Sequence, residues 1–168
     1  MRLYFLRHGA ADWPDWDRPD DERPLTEAGR RELHRVGDLL ARLKADPELI
    51  LTSPLPRAAQ TAAIAAEHLS VGVREEKLLA PGFAPADLKR LLRKYPHQIV
   101  MLVGHEPDFS SVIASLTGGR IKLLKAGVAL VDLDAGKGRL RWLLPPAIAR
   151  SRKALATTAR STTGRCLR

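Results

Sequence analysis

Short apolar runs alternate with amphipathic stretches along most of the chain, and that alternation limits the fold more than any other feature. "LYFL" from Leu3 to Leu6, "ELILTS" from Glu48 to Ser53 and "QIVMLVGH" from Gln98 to His105 read as buried strands. "VGVREE" from Val71 to Glu76 reads as a further, weaker one. Between them, Leu33, Val36, Leu40 and Leu43 recur at spacings of three and four, the stripe of a half-buried helix that Thr26 can cap. "RAAQTAAIAAEHL", "PADLKRLLRKY" and "PDFSSVIASLTG" read as three more helices. "GVALVDLDAGKGRLRWLL" reads as two strands joined by a turn around Gly136 and Gly138. Such alternation predicts an α/β three-layer sandwich. Its central sheet is mainly parallel, with helices on both faces and an antiparallel C-terminal hairpin at one edge.

A length of 168 residues suits one domain with one core. The formal charge of +9 is mainly a property of the C-terminal end. Residues 150–168 carry six Lys or Arg and no acid, leaving 22 basic against 19 acidic residues in the body. The expected organisation is a domain over 1–149 and a basic tail over 150–168. A body near +3 lacks the basic face of a nucleic-acid binder, so a nucleic-acid partner is not expected beyond a weak contact of the tail. No apolar run approaches the ~20 residues of a membrane-spanning helix. The start, "MRLYFLRHG", does not read as a signal peptide, and Cys166 is the one cysteine. A cytoplasmic monomer without membrane contact is expected.

The chemistry collects where strands end. The first strand ends in "RHG", Arg7 to Gly9; the second runs into "TSPLPRAAQT" with Arg57; the fourth ends in "VGHEP" with His105. Ligands of parallel α/β sheets bind outside the carboxyl ends of the strands. Arg7, His8, Arg57 and His105 can therefore converge from distant positions. With no carboxylate expected among them, they would form an electropositive pocket for a dianion. Planar guanidinium groups match phosphate oxygens in pairs, and helix N-termini add backbone N–H groups.

These motifs, together with "PLTEAGRREL", resemble the signature set of the histidine phosphatase superfamily, which includes phosphoglycerate mutases and acid phosphatases. The short length, "LLAPGF" and "RWLLPPAI" are most similar to its small bacterial phosphohistidine phosphatase group, over about residues 1–149. The resemblance implies that His8 is a nucleophile forming a covalent phosphohistidine. It implies that Arg7, Arg57 and His105 hold the phosphoryl oxygens and stabilise the transition state. Gly9 is expected to let the backbone turn sharply and approach the oxyanion. No metal or other cofactor is required on this reading. The implied substrate is a phosphohistidine on a signalling protein of the phosphorelay kind. A small phosphoester, or a catalytically weak phosphate-sensing role, is the alternative.

The chain departs from the larger relatives in two places. Ala10, Ala11 and Pro14 follow "RHG", where mutases carry Ser and Asn. Leu79, Ala80 and Pro81 stand where a glutamate general acid would be sought, with Glu75 and Glu76 upstream. A poor alkoxide leaving group needs such an acid, whereas an imidazole leaves more readily. Asp12 and Glu106 are the remaining candidates for proton transfer. Arg18 and Arg23 of the acidic loop could reach the site, and Trp13 and Trp16 could line its mouth or pack locally. His34, His68 and His97 read as surface residues, and Trp142 as a packing residue of the hairpin.

Overall fold

The computed structural model describes residues 1–150. The expected basic tail therefore lies outside the described residues, apart from Arg150.

Six strands form one sheet: β1 (Arg2–Arg7), β2 (Leu49–Thr52), β3 (Val73–Glu75), β4 (Ile99–Gly104), β5 (Val128–Asp134) and β6 (Lys137–Leu144). Their spatial order is β3-β2-β4-β1-β5-β6. The pairs β2–β3, β2–β4 and β1–β4 are parallel, while β1–β5 and β5–β6 are antiparallel. Five helices accompany them: α1 (Glu27–Arg42), α2 (Pro56–Leu69), α3 (Pro85–Lys94), α4 (Asp108–Thr117) and the short α5 (Ala147–Arg150). The three-layer α/β sandwich with its antiparallel edge is thus the observed architecture.

Strand periodicity explains the layers. Successive side chains point to opposite faces, so an inner strand covered on both sides is apolar throughout. Leu3, Phe5, Val100 and Leu102 face one side, where Leu88 and Leu91 of α3 and Phe109, Val112 and Ile113 of α4 pack on them. Tyr4, Leu6, Met101 and Val103 face the other, against Leu33, Val36 and Leu40 of α1 and the alanines of α2. The small side chains Ala58, Ala62 and Ala65 let α2 lie close to the sheet.

Two local devices fix the edges of this frame. Thr26 caps α1, its Oγ1 accepting the Gly29 N–H at 3.1 Å and donating to the Ala10 carbonyl at 3.2 Å. The cap therefore also ties α1 to the segment that follows β1. The β5–β6 hairpin turns on Ala135 (φ 45°) and Gly136 (φ 79°), two left-handed residues between the paired Asp134 and Lys137. Gly138 belongs to β6 rather than to the turn; a Cβ there would meet Leu116 Cβ at 2.9 Å.

Candidate active site

The three parallel strands β1, β2 and β4 end on the same side of the sheet. Each delivers a polar residue there: His8 directly after β1, Ser53 after β2 and His105 after β4. Arg7 is the last residue of β1, and Arg57 sits in the first turn of α2. Because β5 runs antiparallel to β1, its entry segment, residues 123–127, reaches the same end of the sheet. Arg7, His8, Arg57 and His105 all line one open cleft of about 390 Å³. The structure brings together the four residues singled out from the strand ends.

The imidazole of His8 is pinned. Its Nδ1 lies 2.8 Å from the Gly9 carbonyl oxygen. A carbonyl oxygen only accepts, so Nδ1 carries the hydrogen and Nε2 keeps its lone pair in the neutral ring. The backbone is held on both sides: His8 N–H donates to the Gly104 carbonyl and its own carbonyl accepts from Ala126 N–H, both at 3.1 Å. His8 is only 8% exposed. Burial first, opposed by the bond to Gly9, and then the charges of Arg57, Arg7 and Lys125 push its pKa down to about 4. At neutral pH the ring is a neutral base.

His105 faces His8, with ring centroids 5.2 Å apart and planes at 54°. It is 3% exposed, and burial, His8 and the arginines push its pKa down to about 3. Its Nε2 lies 2.8 Å from Ser53 Oγ. Arg7 donates from Nη1 to the Leu123 carbonyl at 3.0 Å, and burial lowers its pKa. Arg57 is 6% exposed and donates to Asp20 twice, to the backbone carbonyl at 2.6 Å and to Oδ2 at 3.0 Å.

Asp20 overturns one expectation. The cleft is not free of carboxylates: Asp12, Asp20 and Glu106 all line it. The acidic loop after "RHG" folds back across the strand ends, and Asp20 pairs with both Arg57 and Arg23. Asp12 pairs with Lys125, whose hydrogen bond holds the Asp12 carboxyl below its ordinary range. Glu106 accepts from Ser110 Oγ at 2.9 Å, and burial raises its pKa. Of the two proton-transfer candidates, Glu106 has the environment that retains a proton, and Asp12 does not.

Gly9 also differs from expectation. Its φ is not left-handed, and it does not line the cleft. Its N–H donates to Thr61 Oγ1 at 3.1 Å, so that group is committed inside the protein. A Cβ at Gly9 would lie 2.7 Å from Leu33 Cδ1. Leu33 of α1 thus packs directly against the glycine, whose carbonyl orients His8.

The remaining candidates divide. Arg23 lines the cleft, whereas Arg18 stacks over the Trp16 ring at 5.5 Å. Trp13 and Trp16 pack locally, donating to the carbonyls of Pro24 and Pro19. His34 and His68 contact each other, and His97 contacts Glu48, all away from the cleft. Trp142 packs against Tyr4 at 5.9 Å. Pro81 lines the cleft from the stretch where an acid was sought. Glu76 is turned away to Lys94 and Tyr95. Ser53, Thr61 and Lys125 were missed. The first two stand inside the "TSPLPRAAQT" motif, which offered the signal; Lys125 stands in no motif.

Comparison with known proteins adds four findings. The family model of the histidine phosphatase superfamily (branch 1) matches residues 3–80. An uncharacterized protein of Picosynechococcus sp. is 36% identical over 168 residues, covering 86% of this chain and all of the relative. The phosphohistidine phosphatase SixA of Escherichia coli is 27% identical over 165 residues, covering 92% of this chain and all of its own. A solved structure of the protein histidine phosphatase SixA complexed with tungstate superposes with a TM-score of 0.79 at 26% identity, over 88% of this chain and 99% of that one.

Proposed function

The chain belongs to the histidine phosphatase superfamily, and on that premise we propose that it is a phosphatase working through a covalent phosphohistidine on His8, with a phosphohistidine on a signalling protein as substrate. The observation that carries this reading is the hydrogen bond from His8 Nδ1 to the Gly9 carbonyl. It leaves Nε2 as the bare nucleophilic nitrogen of a neutral ring, at a cleft lined by Arg7, Arg57 and His105.

In the proposed reaction, the Nε2 lone pair attacks phosphorus as the bond to the leaving group breaks. Arg7, Arg57 and His105 hold the equatorial oxygens, where charge redistributes in the transition state. Water then attacks the phosphorus of the intermediate, orthophosphate leaves, and the electron pair of the P–N bond returns to Nε2. Arg57 must first exchange the Asp20 carboxylate for a phosphoryl oxygen, a swap of one anion for another. The tungstate held by the SixA relative, a tetrahedral oxyanion, supports a phosphate-like ligand here.

The substrate class follows from leaving-group chemistry. The stretch from Leu79 to Pro81 brings an apolar ring to the cleft rather than a carboxyl group. An imidazole leaving group depends less on a positioned acid than an alkoxide does. The relative named phosphohistidine phosphatase supports the same choice. One observation favours a second reading, hydrolysis of small phosphoesters: half-buried Glu106 lines the cleft with a raised pKa and could protonate an alkoxide.

Rapid-quench mass spectrometry tests the mechanism. During turnover of a phosphohistidine-bearing protein, an acid-labile phosphoryl group is expected on His8. Turnover without phosphorylation of His8 contradicts it.

A further inference from the structure

We infer that Ser53 is a positioning residue: it fixes the ring tautomer of His105 so that an Nδ1 hydrogen is offered to an oxyanion in the cleft. The inference rests on the phosphate-binding reading of the cleft given above.

Ser53 is the first residue after β2, and it is fully buried. Its Oγ lies 2.8 Å from His105 Nε2. The same oxygen accepts the Leu55 N–H at 3.3 Å, so a lone pair is already engaged. The hydroxyl has one hydrogen to donate. Among the described residues, the acceptor it meets is His105 Nε2. A ring nitrogen accepts only when bare, and a neutral imidazole carries its one hydrogen on the other nitrogen. The hydrogen of the neutral His105 ring is therefore on Nδ1. In water, neutral imidazole side chains favour the opposite tautomer, so Ser53 has a preference to overcome.

His105 Nδ1 is buried and has no hydrogen-bond partner among the described residues. Its ring lines the cleft beside Arg7, whose Nε is likewise buried and unpartnered. Buried donors are expensive to leave unpaired. Two of them at one cleft match a phosphoryl group, which has acceptors to offer and, as a dianion, no donor. The other tautomer would present a bare nitrogen lone pair to those oxygens and repel them.

Long-range ¹H–¹⁵N NMR of histidine-labelled protein reads the tautomer directly, without any substrate. In the native protein, His105 is expected with a protonated Nδ1 and a bare Nε2. In Ser53→Ala, the ring is expected to revert to a protonated Nε2, and the Kd for orthophosphate to rise about tenfold, the loss of one charge-assisted hydrogen bond. A protonated Nε2 in the native protein overturns the inference. So does an unchanged tautomer, or an unchanged orthophosphate Kd, in Ser53→Ala. These readouts stand apart from turnover. The inference can fail in a working phosphatase, and the tautomer can hold in a protein that hydrolyses nothing.

Discussion

Asp20 holds Arg57 through two oxygens, its backbone carbonyl at 2.6 Å and its carboxylate at 3.0 Å. A carboxylate bound to a guanidinium occupies the place a phosphoryl oxygen would take. The acidic loop therefore competes with the proposed substrate for its own clamp. Asp20 is mostly exposed, so the carboxylate bond is worth little more than a surface ion pair. Asp20→Ala is expected to tighten competitive inhibition by orthophosphate about two- to fivefold. Weaker inhibition in the variant would mean that Asp20 helps to hold the anion.

The two buried histidines make stability depend on pH. Folding lowers both pKa values, to about 4 for His8 and about 3 for His105, from an ordinary value near 6.5. Below pH ~6.5 the unfolded chain takes up protons that the folded chain refuses, so stability falls as pH falls. The loss from His8 ends near pH 4 and that from His105 near pH 3. Urea unfolding between pH 7.5 and 4.5 should show this decline, with a shallower slope in His8→Asn. Equal slopes in the two proteins would contradict the burial-driven shift of His8.

Thr61 links the support of the proposed nucleophile, His8, to Arg57. Its Oγ1 accepts the Gly9 N–H and donates to the Arg57 carbonyl at 2.7 Å. Thr61→Val keeps the shape and leaves the buried Gly9 N–H without an acceptor. A loss of about 1–3 kcal/mol in stability is expected, with a lower kcat because the Gly9 carbonyl orients His8. Thr61→Ser, which keeps the hydroxyl, should restore most of both. Chemical denaturation and steady-state kinetics of the two variants check this.

Glu106→Gln separates the two substrate readings. Removing a general acid lowers rates about 10²-fold or more where the leaving group needs a proton. Hydrolysis of alkyl phosphates is expected to fall by that order, while phosphohistidine hydrolysis changes less than about tenfold. Equal losses on both substrates would assign Glu106 a role independent of the leaving group.

The fold was legible because its two central strands, β4 and β1, carry no polar interruption between their ends. "QIVMLVGH" and "LYFL" are apolar at every inner position since helices cover both faces, and that composition is visible without coordinates. Arg7, His8, Arg57 and His105 were legible for a related reason: parallel strands bring their carboxyl ends to one side. The partners of these residues were less so. Ser53 and Thr61 look like any serine or threonine until Ser53 is seen against His105 and Thr61 against Gly9. Lys125 reaches the cleft only because β5 runs antiparallel to β1, a pairing that no local pattern near Lys125 announces. Asp20 was unreadable in this respect. Its contact with Arg57 spans 37 positions and depends on how a loop dense in proline and aspartate folds back.

Phosphate release from a phosphohistidine-bearing protein, measured with a chelator present, tests the central claim most directly. Native protein should release orthophosphate rapidly, and His8→Ala should reduce release to background. Release that persists in His8→Ala would contradict a covalent intermediate on His8. No release by the native protein, with an aryl phosphate still hydrolysed, would contradict the substrate proposed here.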